Sequence, residues 1–186
     1  VSARRRRELR WIFAVIFAAG AAAPLAARQV SFAAQQAIST SVQFATSVFT
    51  ADLDGDGDLD VLSASSLDGE IAWYENADGA GGFGSQQVIS TLAGGASSVF
   101  AADVDGDGDL DVLSASSNDR IAWYENTDGS GGFGSQQVIS ALADAASSVF
   151  AADVDGDGDI DVLSASTGDD KIAWYENTDG SGSFGS

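Results

Sequence analysis

The chain has 186 residues, 28 of them Asp or Glu against 8 Lys or Arg, for a formal charge of −20, yet 45% of it is hydrophobic. That apolar share is too high for a disordered acidic tail, and that charge repels phosphate backbones, so nucleic acid is excluded as a partner. There is no Cys and no His, which removes disulfides, thiolate and imidazole metal sites and the usual general base, and leaves the oxygen ligands of hard cations.

Arg4, Arg5, Arg6, Arg7 and Arg10 lead into an apolar run from Trp11 to Ala27, interrupted by Gly20 and Pro24. A basic start, an apolar middle and a small-residue end read as a helical signal peptide over residues 1–27, cleaved after Ala23 or Ala27. The alternative is an uncleaved membrane anchor, since the run sits at the short limit for spanning a bilayer. The positive-inside bias carries the remainder across in both cases. The chain is therefore expected to be secreted, extracellular or at the cell surface, and to touch membrane only through an uncleaved N-terminal segment. Residues 28–34 read as a linker.

From there the sequence repeats. Residues 35–85, 86–135 and 136–186 align almost letter for letter, and self-similarity at this period marks a propeller or solenoid. In the second unit QQVIS, SSVFAAD, DVLSASS and IAWYEN are short runs rich in Val, Ile, Phe, Trp and Tyr, separated by Gly, Asp, Asn and Ser turns. Such runs predict strands, and no window keeps a helical period. Four strands in about 50 residues make one blade of a β-propeller. The fold class is thus all-β, with three blades of four-stranded antiparallel sheet. Adjacent strand positions put Trp73, Trp123 and Trp174 on one face and Tyr74, Tyr124 and Tyr175 on the other, one of each pair packing between blades. Glu75, Glu125 and Glu176 read as structural hydrogen-bond acceptors rather than catalytic acids.

Each unit holds one stretch of another character: DLDGDGDLD at 52–60, DVDGDGDLD at 103–111 and DVDGDGDID at 153–161. Five carboxylates in nine residues raise one another's pKa unless a cation sits among them, and Ca²⁺ accepts the irregular oxygen cage that a loop supplies. In the first loop Asp52, Asp54 and Asp56 turn inward and Gly57 makes the sharp turn. Asp58 gives its backbone carbonyl, with its carboxylate solvated, and Asp60 closes the cage. The equivalents are Asp103, Asp105, Asp107, Asp109 and Asp111, then Asp153, Asp155, Asp157, Asp159 and Asp161. One Ca²⁺ per repeat, three in all, is expected. An EF-hand is rejected, because position 12 is Ser63, Ser114 and Ser164 and the flanks are β. A nonapeptide β-roll is rejected because no nine-residue period continues past the loop.

DVDGDGDLDVLSAS followed by IAWYEN and GGFG resembles the FG-GAP/VCBS repeats, related to the integrin α-chain propeller, over residues 35 to 186. The resemblance implies a calcium loop between the first two strands of each blade and a role in adhesion or ligand binding outside the cell. Ser-Ala-Ser at 63–65, 114–116 and 164–166 replaces the Gly-Ala-Pro of integrins, so the likeness is to the broader repeat class and implies no integrin-like specificity. Propellers close with about four to eight blades. Three units therefore suggest an incomplete propeller with an apolar blade face exposed at each end, or copies that associate into a six-bladed ring. The expected function is a calcium-binding module for an extracellular protein or glycan ligand, with calcium structural. A structural spacer, or the non-catalytic propeller of a larger extracellular enzyme, are the alternatives. No catalytic residue is expected, because an active site normally breaks repeat symmetry.

Overall fold

The computed structural model describes residue 31 and residues 33–185. The signal peptide expected over 1–27 and most of the linker at 28–34 lie outside the described residues. From Gln36 onward the chain forms one compact unit. Among the described residues there is no helix, and so none long and apolar enough to cross a membrane.

Eleven strands build three antiparallel sheets. The first holds β1 (Ala45–Ala51), β2 (Asp60–Ser65), β3 (Glu70–Tyr74) and β4 (Gln87–Ser90) in chain order. The second holds β5 (Ala96–Ala102), β6 (Asp111–Ser116), β7 (Arg120–Tyr124) and β8 (Gln137–Ser140). The third holds three strands, β9 (Ala146–Ala152), β10 (Asp161–Ser166) and β11 (Lys171–Tyr175). Two sheets thus have the four expected strands and one has three, and the described residues do not close a ring.

The sheets are out of phase with the repeat units by one strand. The QVIS run that opens the second unit pairs with β3 of the first, and the run that opens the third unit pairs with β7 of the second. The corresponding run of the first unit forms no strand. A periodic sequence has no inherent starting point, so its letters alone do not say which sheet a boundary strand joins.

The β1–β2 hairpin runs in register from Ala51 opposite Asp60 to Val48 opposite Ser63, so the Asp-rich segment is the loop joining the first two strands. The long connection after β3 is pinned by its Phe-Gly pair. Asn76 bridges Phe83, and the Gly84 N–H donates to the Glu75 carbonyl at 2.8 Å. The same pair closes the connection at Phe133 and Phe184. It is the backbone carbonyls of Glu75, Glu125 and Glu176 that accept these bonds, whereas their carboxylates accept none among the described residues.

Apolar residues alternate along each strand and fill the space between successive sheets. One core joins Leu62, Ile71 and Trp73 of the first sheet to Val99, Val112 and Tyr124 of the second. The other joins Leu113, Ile121 and Trp123 to Val149 and Val162, with Tyr175 packed against it. The Trp and Tyr series therefore face opposite ways, as their adjacent positions require. Members of both series pack between sheets: Trp73 and Trp123 face the following sheet, and Tyr124 and Tyr175 the preceding one. Phe49, Phe100 and Phe150 form a tilted ladder with ring centroids 4.6 Å apart at both steps.

Trp73 meets the next sheet at Gly131, whose φ is +80° and where an added Cβ would strike the indole. Gly182 stands in the same relation to Trp123. Gly131→Ala is expected to cost about 2–3 kcal/mol, from a left-handed backbone joined to overpacking. Urea denaturation measures it, and a loss under about 0.5 kcal/mol would refute the contact.

Candidate metal centre

The Asp-rich loops organise themselves before any ligand is considered. In the first, an Asp52 carboxylate oxygen accepts the Gly57 N–H at 3.0 Å, Asp54 accepts the Asp56 N–H at 3.2 Å, and Asp56 accepts the Asp58 N–H at 2.8 Å. The second and third loops repeat this ladder. Such side-chain turns are what Asp offers a backbone that is neither helix nor sheet. Gly57, Gly108 and Gly158 take φ of +95°, +101° and +103°, the left-handed turn expected at position 6.

Asp60 closes the loop from below. It is 1% exposed, and its two oxygens accept the N–H groups of Leu53 and Asn76, each at 2.9 Å. Asp111 does the same for Val104 and Asn126, and Asp161 for Val154 and Asn177. One carboxylate thereby ties the start of the loop, the start of the second strand and the end of the third.

Carboxylate oxygens of Asp52, Asp54 and Asp60 lie within 4.8 Å of one another, as do those of Asp103, Asp105 and Asp111 and those of Asp153, Asp155 and Asp161. Positions 1, 3 and 9 of each loop are thus brought together, and positions 5 and 7 are outside the trio. Asp56, Asp107 and Asp157 cap the backbone two residues on. Asp58, Asp109 and Asp159 lean over a glycine of the turn after the third strand, so that a Cβ on Gly79, Gly129 or Gly180 would meet the carboxylate at 2.5 Å. That lean gives the position-7 carboxylate a neighbour where the sequence alone had suggested only solvent.

The trio suits a hard cation on its own evidence. Asp52 Oδ1 is buried and has no hydrogen-bond partner, and a buried carboxylate oxygen without one is costly unless a positive charge faces it. Asp54 is pushed above the ordinary carboxylate range by burial and by the charges of Asp60, Asp56 and Glu75. Asp105 is raised by burial and by Asp107, Glu125 and Asp103. Asp111 is pushed up to about 7, chiefly by burial, against the opposing bonds from Asn126 and Val104. All-oxygen donors at this density match Ca²⁺, which takes six to eight of them at about 2.3–2.6 Å. When bound, the ion would offset this crowding and fix the loop; the protein's own part is to hold the three carboxylates ready.

The sequence reading overlooked two partners of the site. Asn126, wholly buried, sends its side-chain N–H₂ to the Leu53 carbonyl of the preceding loop at 2.9 Å, and Asn177 sends its own to Val104 at 2.8 Å. Gly55, with φ of +74°, sits where an added Cβ would be 3.2 Å from the Gly129 carbonyl of the next sheet. The first and second loops are therefore also joints between sheets. The Asn of IAWYEN carried the signal, since it recurs in every unit beside the more conspicuous Glu.

Three antiparallel sheets in series, each with one carboxylate loop between its first two strands, define an all-β repeat protein with an Asp-trio site per repeat. The family follows from the same residues: the FG-GAP-like repeat model matches residues 52–114 and again 103–164, and the chain belongs to that family. A search of curated proteins finds no match to it.

Proposed function

We propose that this chain is an extracytoplasmic, calcium-binding β-propeller module that presents a surface to a protein or glycan ligand, with calcium as a structural element. The observation that carries the calcium reading is the trio of Asp52, Asp54 and Asp60, with Asp52 Oδ1 buried and unpartnered. The basic and apolar leader in the sequence supports delivery across a membrane, where millimolar calcium fills sites with Kd of about 10⁻⁴–10⁻³ M. The module is read as non-catalytic, because the trio is built alike in three repeats.

Calorimetric titration with CaCl₂ tests the calcium reading. Three ions per chain are expected, and two for Asp54→Asn, with Mg²⁺ a poor competitor because it demands a tighter octahedral shell. Absence of calcium binding at millimolar concentration would reject the reading. Screening glycans and matrix proteins with and without calcium tests the ligand-binding role, and a chain that holds calcium yet captures nothing there would point to a spacer.

A further inference from the structure

The three Asp trios are joined by an unbroken line of hydrogen bonds. Asp60 accepts the Leu53 N–H, and the Leu53 carbonyl accepts the Asn126 side chain from the next sheet. The Asn126 backbone N–H donates to Asp111, whose other oxygen accepts the Val104 N–H. The Val104 carbonyl accepts the Asn177 side chain, and the Asn177 backbone N–H donates to Asp161. None of these six bonds is longer than 2.9 Å. Every residue on the line is at most 1% exposed, so water is kept from taking over a link that opens.

The line passes through the residues that the trios enclose. Leu53 lies between Asp52 and Asp54, and Val104 between Asp103 and Asp105. A cation held by the flanking carboxylates fixes the backbone of the residue between them. It thereby fixes the carbonyl to which the Asn of the next sheet is tied. That Asn, through its backbone N–H, holds Asp111 or Asp161 in its own trio. A second contact runs alongside. Gly55 stands against the Gly129 carbonyl and Gly106 against that of Gly180, and over these two glycines Asp109 and Asp159 lean. The tip of one loop thus rests on the turn that the next loop covers.

Building on the calcium reading of the trios, we propose that Asn126 and Asn177 are positioning residues that couple neighbouring calcium sites, so that an ion in one loop tightens the next. Ordering a loop costs conformational entropy, and a loop whose neighbour is already set has less of it to lose. The coupling is reciprocal, because both sites draw on the same bonds. It is also confined to neighbours. With the middle loop empty, the first and third sites are separated by a segment that no ion holds. Loading one site is expected to tighten its neighbour about fivefold, which gives a pair of sites a Hill coefficient of about 1.4.

Calcium titration of the whole chain, read by equilibrium dialysis and calorimetry, tests this in variants that each lose one site. Asp54→Asn and Asp155→Asn leave two adjacent sites, and their titrations are expected to stay cooperative. Asp105→Asn leaves the first and third sites, which are expected to fill independently. Asn126→Leu added to Asp155→Asn cuts the link between the remaining pair without touching a carboxylate, so two ions should still bind, now independently. Circular dichroism checks that each variant is folded, and Asp105→Asn keeps the test decisive if the buried Asn126→Leu change unfolds the chain. Independent filling in both Asp54→Asn and Asp155→Asn would overturn the coupling while leaving calcium binding intact. Cooperative filling in Asp105→Asn would overturn it as well, since the cooperativity would then come from folding of the whole chain. Cooperativity that persists in the folded Asn126→Leu double variant would overturn the role of Asn126. A wild-type chain that binds no calcium is the separate failure of the calcium reading.

Discussion

Removing calcium with a chelator is expected to lower the melting temperature of the chain by about 10 °C, and excess calcium to restore it. A site filled at about ten times its Kd adds about 1.4 kcal/mol to the folded state, so three such sites add about 4 kcal/mol. For a domain of this size each kcal/mol moves the midpoint by about 2–4 °C. The effect is spread through the fold because each of the first two loops does two structural jobs. It joins the first strand of its sheet to the second, with Asp60 reaching across to the Asn76 N–H. Through Leu53 and Gly55 it also contacts the following sheet. Loosening one loop therefore weakens a hairpin and a junction together. Calorimetric scans with EDTA, with calcium and with magnesium decide the matter, and superimposable scans would remove the structural role of calcium.

Much of this architecture was legible in the sequence, for identifiable reasons. Short β-rich runs between Gly-Asp turns gave the strands, and the repetition of Trp73-Tyr74, Trp123-Tyr124 and Trp174-Tyr175 gave two opposed faces, because side chains alternate along a strand. The left-handed Gly57 followed from the demand for a sharp turn inside a carboxylate loop. What the letters concealed depends on three-dimensional closure. Which sheet receives a QVIS strand is a question of phase, and a near-perfect repeat is indifferent to phase. Asp56 looks like a ligand equal to Asp54 in the sequence, yet the carboxylate oxygens that lie together are those of Asp52, Asp54 and Asp60, and Asp58, read as solvated, leans over Gly79. Asn126 is hidden for a related reason, since its partner Leu53 is 73 residues away.

The largest effect of a single substitution is expected at Asp111, the buried carboxylate that accepts the N–H groups of Val104 and Asn126 at 2.9 and 2.8 Å. Asp111→Ala leaves both donors unsatisfied and opens a small void, a loss of about 4 kcal/mol with or without calcium. Ionisation adds a second, separable signature. The Asp111 carboxyl is pushed up to about 7 by burial, against about 3.9 in the unfolded chain. The calcium-free folded state therefore holds a proton that the unfolded state releases. Its stabilising contribution is complete below about pH 4 and is lost as pH rises through 7. The chelated protein should accordingly melt at a higher temperature near pH 5 than near pH 8. Calcium binds the ionised form, so the stabilisation it adds should grow across that same window. Asp111→Asn has no proton to lose there and should flatten this part of the chelated profile. Melting curves across this pH range, chelated and calcium-loaded, give both readings. A chelated wild-type midpoint that climbs from pH 5 to pH 8, or an unchanged profile in Asp111→Asn, would show that Asp111 is ionised in the calcium-free fold and that the trio is held together by its backbone bonds alone.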